Sequence, residues 1–177
     1  MKIPLCCFLL GKHLLLTNHN DKRLNMYTLM REQSVPTTLA AAWNFLKNPA
    51  NLDRITPADL KFQVVSPVPE EMYNGLIIEY RIAIPFIGVR KWVAELKHIR
   101  ALHSFVDEQR LGPYSFWYHY HELVEQGDRV KIIDRVYYEV PYGLLGKAMH
   151  ALFVRKTLER IFHFRKEKLT ELLSIER

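Results

Sequence analysis

Between Phe116 and Tyr138 two β-rich runs are separated by a single glycine, Gly127, and no other stretch limits the fold as much as this hairpin. On the first run Trp117, His119 and His121 alternate, so in a strand they share one face. A two-residue loop at Gln126-Gly127 pairs Glu125 with Asp128. Counting back sets Leu123 against Val130, His121 against Ile132, His119 against Asp134 and Trp117 against Val136. The other face then pairs Glu122 with Lys131, Tyr120 with Ile133 and Tyr118 with Arg135. The first face is apolar except for its imidazoles and one carboxylate, and it is predicted to be interior. Imidazoles are costly to bury unless their nitrogens find partners, so this face points to a polar-lined cavity rather than a plain core. A slip of one residue would move His119 opposite Arg135 and exchange the faces.

The remaining chain can supply the other wall of such a cavity. At 177 residues, 49% hydrophobic and 25% charged, it is long enough for one domain with a sizeable core. Residues 1–25 differ from the rest. They hold both cysteines, Cys6 and Cys7, a Leu-rich start and four basic residues against one acidic, which is half of the net charge of +6. Pro4 interrupts the apolar run, Lys12 cuts it short, and no small-x-small cleavage site follows, so neither a signal peptide nor a membrane span fits. The segment is expected to be an extension, disordered or lying upstream of a natural start at Met26, with the domain occupying residues 26–177. With no cysteine after residue 7 there is no disulfide framework, and a cytoplasmic location is the simplest expectation. Basic residues are not clustered with stacking aromatics, so no nucleic-acid partner is expected. There is no glycine-rich phosphate loop, and no cofactor is expected.

Periodicity gives a first strand over 26–35, then a helix carrying Leu39, Trp43 and Leu46 on one face and stopped by Asn48-Pro49. A second short helix is predicted over 50–55. Six strands follow over 60–66, 76–84, 90–99, 104–110, 114–125 and 129–140. From Gly143 to Ser174 the chain reads as helix, but Leu145, Ala148, Met149 and Leu152 lie nearly opposite Leu158, Ile161, Phe162 and Leu169, so a bend is predicted near 153–156. An α+β fold follows, with an antiparallel sheet curved around a long C-terminal helix and a cavity between them.

The order of elements is matched by motifs: Trp43-x-Phe45, Asn48-Pro49-x-Asn51-Leu52, Phe105-Val106-Asp107-Glu108-Gln109-Arg110-x-Gly112-Pro113-Tyr114, Trp117-x-His119-x-His121, Asp134-x-Val136-x-Tyr138 and Ile161-Phe162-x-x-Arg165. Together they resemble the SRPBCC superfamily, the helix-grip fold of START domains, Bet v 1-like proteins and polyketide cyclases. The resemblance is closest to a bacterial branch often labelled cell-division inhibitor or ligand-binding SRPBCC protein. It implies binding of a hydrophobic small molecule such as a lipid, quinone or polyketide-like compound; fold alone does not fix chemistry.

An inward-facing sheet places Ile78, Tyr80, Ile82, Ile84, Trp92, Ala94 and Leu96 on the cavity wall beside Trp117, His119, His121 and Asp134. Asp107 and Gln109, at alternate positions on the preceding strand, are candidates for contact with a ligand head group. Three uses of the imidazoles stay open beside plain structural hydrogen bonding. They could orient a ligand; His119, oriented by Asp134, could act as an acid-base pair in a cyclase, dehydratase or isomerase; or His119, His121 and Asp134 could form a facial metal triad, for which the pattern is too weak to assign a metal. A protein partner linked to cell division is a further alternative. The basic surplus of the C-terminal helix, Arg165 included, reads as a solvated face that could also touch an anionic membrane transiently.

Overall fold

The computed structural model describes residues 26–84 and 87–174, and the expectations for residues 1–25 lie outside them. Seven strands form one sheet: β1 (Tyr27–Val35), β2 (Gln63–Val64), β3 (Leu76–Ile84), β4 (Gly88–Arg100), β5 (Ser104–Leu111), β6 (Phe116–Gln126) and β7 (Arg129–Glu139). Their order is β1-β7-β6-β5-β4-β3-β2, with every neighbouring pair antiparallel. Helix α1 (Leu39–Leu46) follows β1, and α2 (Gly143–Met149) and α3 (Arg155–Leu173) close the chain. This is the curved α+β sheet with a long C-terminal helix that the periodicity predicts.

Local chemistry explains the boundaries. Thr38 caps α1 by accepting from the Ala41 amide at 3.1 Å, and Asn48 accepts from the Ala50 amide at 3.0 Å where Pro49 opens a new turn. The expected helix over 50–55 is instead a pair of 3-10 turns, Pro49–Asn51 and Asp53–Ile55, followed by a third at Ala58–Leu60. That third turn ends with Lys61 at φ 43°, so the expected strand from Leu60 shrinks to Gln63–Val64. Arg160 grips Asp59 through two 2.8 Å hydrogen bonds and ties α3 to this corner.

The hairpin register differs from the sequence count by two residues. Gln126 pairs with Arg129, and Gly127, at φ +65°, takes the first central position of the turn rather than the second, as glycine does in a II′ turn. His121 therefore sits opposite Asp134, His119 opposite Val136 and Leu123 opposite Ile132. Because side chains alternate with period two, an even shift leaves every residue on its expected face. Trp117, His119, His121, Leu123, Ile132, Asp134 and Val136 are all buried. On the outer face Glu122 meets Arg135 at 2.8 Å, while Lys131 meets Glu32 of β1 at 2.5 Å.

The predicted bend in the C-terminal helix is a π-helical turn at His150–Val154, between α2 and α3. Beyond it α3 buries Leu158, Phe162, Arg165, Leu169 and Leu173, a stripe at helical spacing that packs on the concave sheet face. Among the described residues no helix is long and apolar enough to cross a membrane.

Candidate functional site

Three neighbouring strands deliver one polar cluster to the concave face. In the β5–β6 ladder Asp107 lies opposite His119; in β6–β7 His121 lies opposite Asp134. His119 Nε2 is 2.9 Å from Asp134 Oδ1, and His121 Nδ1 is 3.1 Å from the same oxygen. The two imidazole centroids are 3.7 Å apart, and Phe105 stacks on His121 at 4.2 Å. From above, α3 lowers Arg165, whose Nη1 is 3.9 Å from Asp134 Oδ1 and whose guanidinium lies 4.9 Å from the centre of the Phe162 ring.

Burial dominates the electrostatics of the cluster. It lowers the His119 pKa, helped by neighbouring His121, to about 3 against the opposing pull of Asp134. His119 is thus a neutral imidazole that donates its Nε2 proton to Asp134. Burial works against ionisation of Asp134 too, but the hydrogen bonds from His119 and His121 outweigh it and hold the carboxyl well below the usual range. Asp107 behaves oppositely. Its burial outweighs His121 and Arg165 and raises its pKa, and its Oδ1 has no hydrogen-bond partner.

The cluster forms one end of a cavity of about 260 Å³ between sheet and helix, close to the lower end of the ~300–1,000 Å³ common for small-molecule sites. Tyr80, Trp92, Trp117, His119, His121 and Asp107 line it, together with Ile82, Ile84 and Leu96. Three expected wall residues, Ile78, Ala94 and Asp134, and the head-group candidate Gln109 do not. Ile78 and Ala94 are fully buried in the core beside it, and Asp134 lies behind the imidazoles it holds. Gln109 turns away to the β5–β6 loop, where its side chain donates to the Tyr114 carbonyl at 2.7 Å and accepts from the Tyr114 amide at 3.3 Å. Gly112 leaves room for that side chain, since a Cβ there would collide with it. The loop in turn sets Tyr114 into the cavity wall, with its ring 4.9 Å from Trp117.

Arg165 and Tyr114 stand outside the residues singled out from sequence. For Arg165 a signal exists: it continues the stripe Leu158, Phe162, Leu169, so helical phase places it inward. Its 9% exposure overturns the expectation of a solvated charge. Tyr114 carries no such signal, because its direction depends on a loop whose staple comes from Gln109.

No protein-family model matches the chain, and no curated protein sequence matches it either. Solved structures do. The Zhui aromatase/cyclase from Streptomyces sp. R1128 aligns with a TM-score of 0.63 at 12% identity, covering 82% of this chain and 92% of that one. Norcoclaurine synthase from Thalictrum flavum, solved with dopamine and hydroxybenzaldehyde, aligns at 0.58 and 14% identity over 93% and 100% of the two chains. Protein Ms6760 from Mycobacterium smegmatis aligns at 0.58 and 13% identity over 81% and 91%. A sheet curved around its last helix, a cavity between them and these shared architectures give one conclusion: the chain has the helix-grip fold of Bet v 1-like proteins.

Proposed function

We propose that this protein binds and carries a mainly apolar small molecule in its internal cavity, with an oxygen-bearing end of the ligand directed at the sheet. The observation that carries this reading is a pair of unsatisfied donors. Trp117 Nε1 and Arg165 Nε are buried without hydrogen-bond partners, and both residues line the mainly apolar cavity. Proteins rarely leave such atoms unpaired, and each costs about 1–3 kcal/mol until an acceptor reaches it. A ligand carbonyl, ether or hydroxyl oxygen supplies that acceptor, while Tyr80, Trp92, Ile82 and Ile84 cover its apolar body. Norcoclaurine synthase, similar in fold, is solved with two aromatic oxygen-bearing compounds, which agrees with a site of this kind.

The rim of the cavity supports loading from a membrane surface. Tyr142 lines the mouth and is 81% exposed, Leu144, Leu145 and Leu152 stand exposed beside it, and Lys147, Arg155 and Lys156 supply positive charge around them. Turnover by His119 as a base is the weaker reading. An imidazole with a pKa near 3 accepts protons poorly at neutral pH, although similar folds include a cyclase and a synthase.

Native mass spectrometry of protein purified from its own host, followed by organic extraction, tests the proposal. A stoichiometric apolar compound bearing oxygen is expected. Thr157, on α3, lines the same cavity, so Thr157→Phe fills it, and this variant should emerge empty while remaining folded. Equal ligand content in the variant would place the compound elsewhere, and repeated recovery of empty wild-type protein would overturn the carrier reading.

A further inference from the structure

Asp107 is the one member of the cluster whose needs a carrier function leaves unmet. Its Oδ1 is buried without a hydrogen-bond partner, which is costly for a polar atom. Two imidazoles, those of His119 and His121, lie beside it. A neutral imidazole has a single N–H. His119 gives its proton at Nε2 to Asp134, which leaves Nδ1 with a bare lone pair; His121 places Nδ1 3.1 Å from the same carboxylate oxygen, so its Nε2 points away from Asp134. Arg165 is the cation in the cluster. Its Nη1 lies 3.9 Å from Asp134 Oδ1, beyond hydrogen-bonding distance, and its charge acts on Asp107 as well without giving Oδ1 a hydrogen bond. A buried carboxylate oxygen with no donor, beside two imidazoles on the same face, is a ready donor set for a metal ion.

We propose that Asp107, His119 and His121 bind one divalent transition-metal ion of the Zn²⁺ or Fe²⁺ class at the inner end of the cavity, with Asp134 orienting both imidazoles from behind. Each of the three residues offers a ligand atom within 4.8 Å of the other two. Metal bonds of ~2.0–2.2 Å require ligand atoms roughly 3–3.5 Å apart, so the set draws together by about an ångström, a motion available to the side chain of Asp107. Two nitrogens and one carboxylate oxygen suit Zn²⁺, Fe²⁺ and Co²⁺; Ca²⁺ and Mg²⁺ favour all-oxygen sites and Cu⁺ favours sulfur. Asp134 fills the role that outer carboxylates hold in histidine metal sites, fixing the tautomer and the ring plane. The strand register builds this arrangement: Asp107 opposite His119 and His121 opposite Asp134 on one face. All three ligands line the cavity that Arg165 and Trp117 also line.

The experiment is a titration of full-length, chelator-stripped protein with Co²⁺, read by visible d–d absorption, and with Zn²⁺, read by calorimetry. One equivalent is expected to bind. Asp107→Asn and His121→Gln should each weaken binding about tenfold or more. Cys6→Ser with Cys7→Ser removes the thiolates that could also take Co²⁺ and should leave the site intact. Melting curves without metal identify any variant that fails to fold, and Asp107→Asn is expected to melt no lower than wild type because it discards a buried charge. Absence of both band and heat overturns the proposal, as does binding unaffected by Asp107→Asn and His121→Gln. Retention of an apolar dye by metal-free protein is a separate readout: its loss counts against the carrier reading alone.

Discussion

The concave face of the sheet is used in two ways along the length of α3. Toward the C-terminal half of the helix, Leu169 and Leu173 pack with Leu123, Val130, Ile132, Val35 and Trp43 into a filled aliphatic and aromatic core. Toward its N-terminal half, Leu158 and Phe162 pack with Leu29, Trp117, Val136 and Tyr138 in a second cluster, and with Arg165 they also border the open space lined by Trp92 and Tyr80. The alternation that makes core at one end makes cavity wall at the other. What differs is the filling: β-branched and leucine side chains close the gap in the first half, whereas rings that meet edge to face, as Trp92 and Trp117 do at 5.2 Å, brace the wall of the second without filling the space beside it.

The largest expected effect comes from the filled half. Leu169, 1% exposed, should cost about 2–5 kcal/mol when changed to alanine, measured by urea unfolding. Ile82→Ala on the cavity wall should cost clearly less, because part of its surface already faces a void. Comparable losses at the two positions would mean that the two halves are equally well packed.

Acid should expose the contrast next. His119 has its folded-state pKa lowered from 6.5 to about 3, so the unfolded chain binds the extra proton first. Stability is then complete above about pH 6.5 and falls as pH drops toward 3, at no more than roughly 1.4 kcal/mol per pH unit. Melting temperature followed across that window should show the decline, and His119→Gln should flatten it. A pH-independent wild type would place His119 in contact with water.

Asp107 has the opposite sign. Its raised pKa means that ionisation at neutral pH opposes folding, so metal-free Asp107→Asn should gain about 1 kcal/mol at pH 7, with the gain fading as pH falls to 3.8. A loss of stability in the variant would show that the carboxylate has a partner. The smallest effect belongs to the convex surface. Lys131→Gln, which removes the ion pair with Glu32, should change stability by less than about 1 kcal/mol, and the difference should shrink further in high salt.

The fold was more legible than the site because its signals are periodic. Alternation on β3, β6 and β7 and the broken stripe of the last helix place nearly every buried residue on its correct face, even with the hairpin register two residues away from the count. Face is a period-two property, but which atoms touch depends on register and on distance between layers. Hence Asp134 joins both imidazoles instead of His119 alone, and Ile78 and Ala94 fall into core instead of cavity. Gln109 looks from sequence like a polar residue aimed inward, and only the loop at Gly112 shows it bound to the Tyr114 backbone. Arg165 was readable by phase, yet a lone arginine among six other basic residues of the same segment is indistinguishable from surface charge until the stripe it belongs to is drawn.

The π-helical turn at His150–Val154 separates two demands on a single helix. Downstream, the angular setting is imposed by the buried stripe from Leu158 to Leu173; upstream, Gly146 is pressed against the Pro141 carbonyl so closely that a Cβ would not fit. An uninterrupted α-helix advances about 100° per residue and could not honour both settings with this number of residues. The wide turn absorbs the mismatch, so the mouth segment and the anchoring segment are phased independently. Deleting one residue there would join them into a single gear, and rotating Leu144 and Leu145 would then require turning the core.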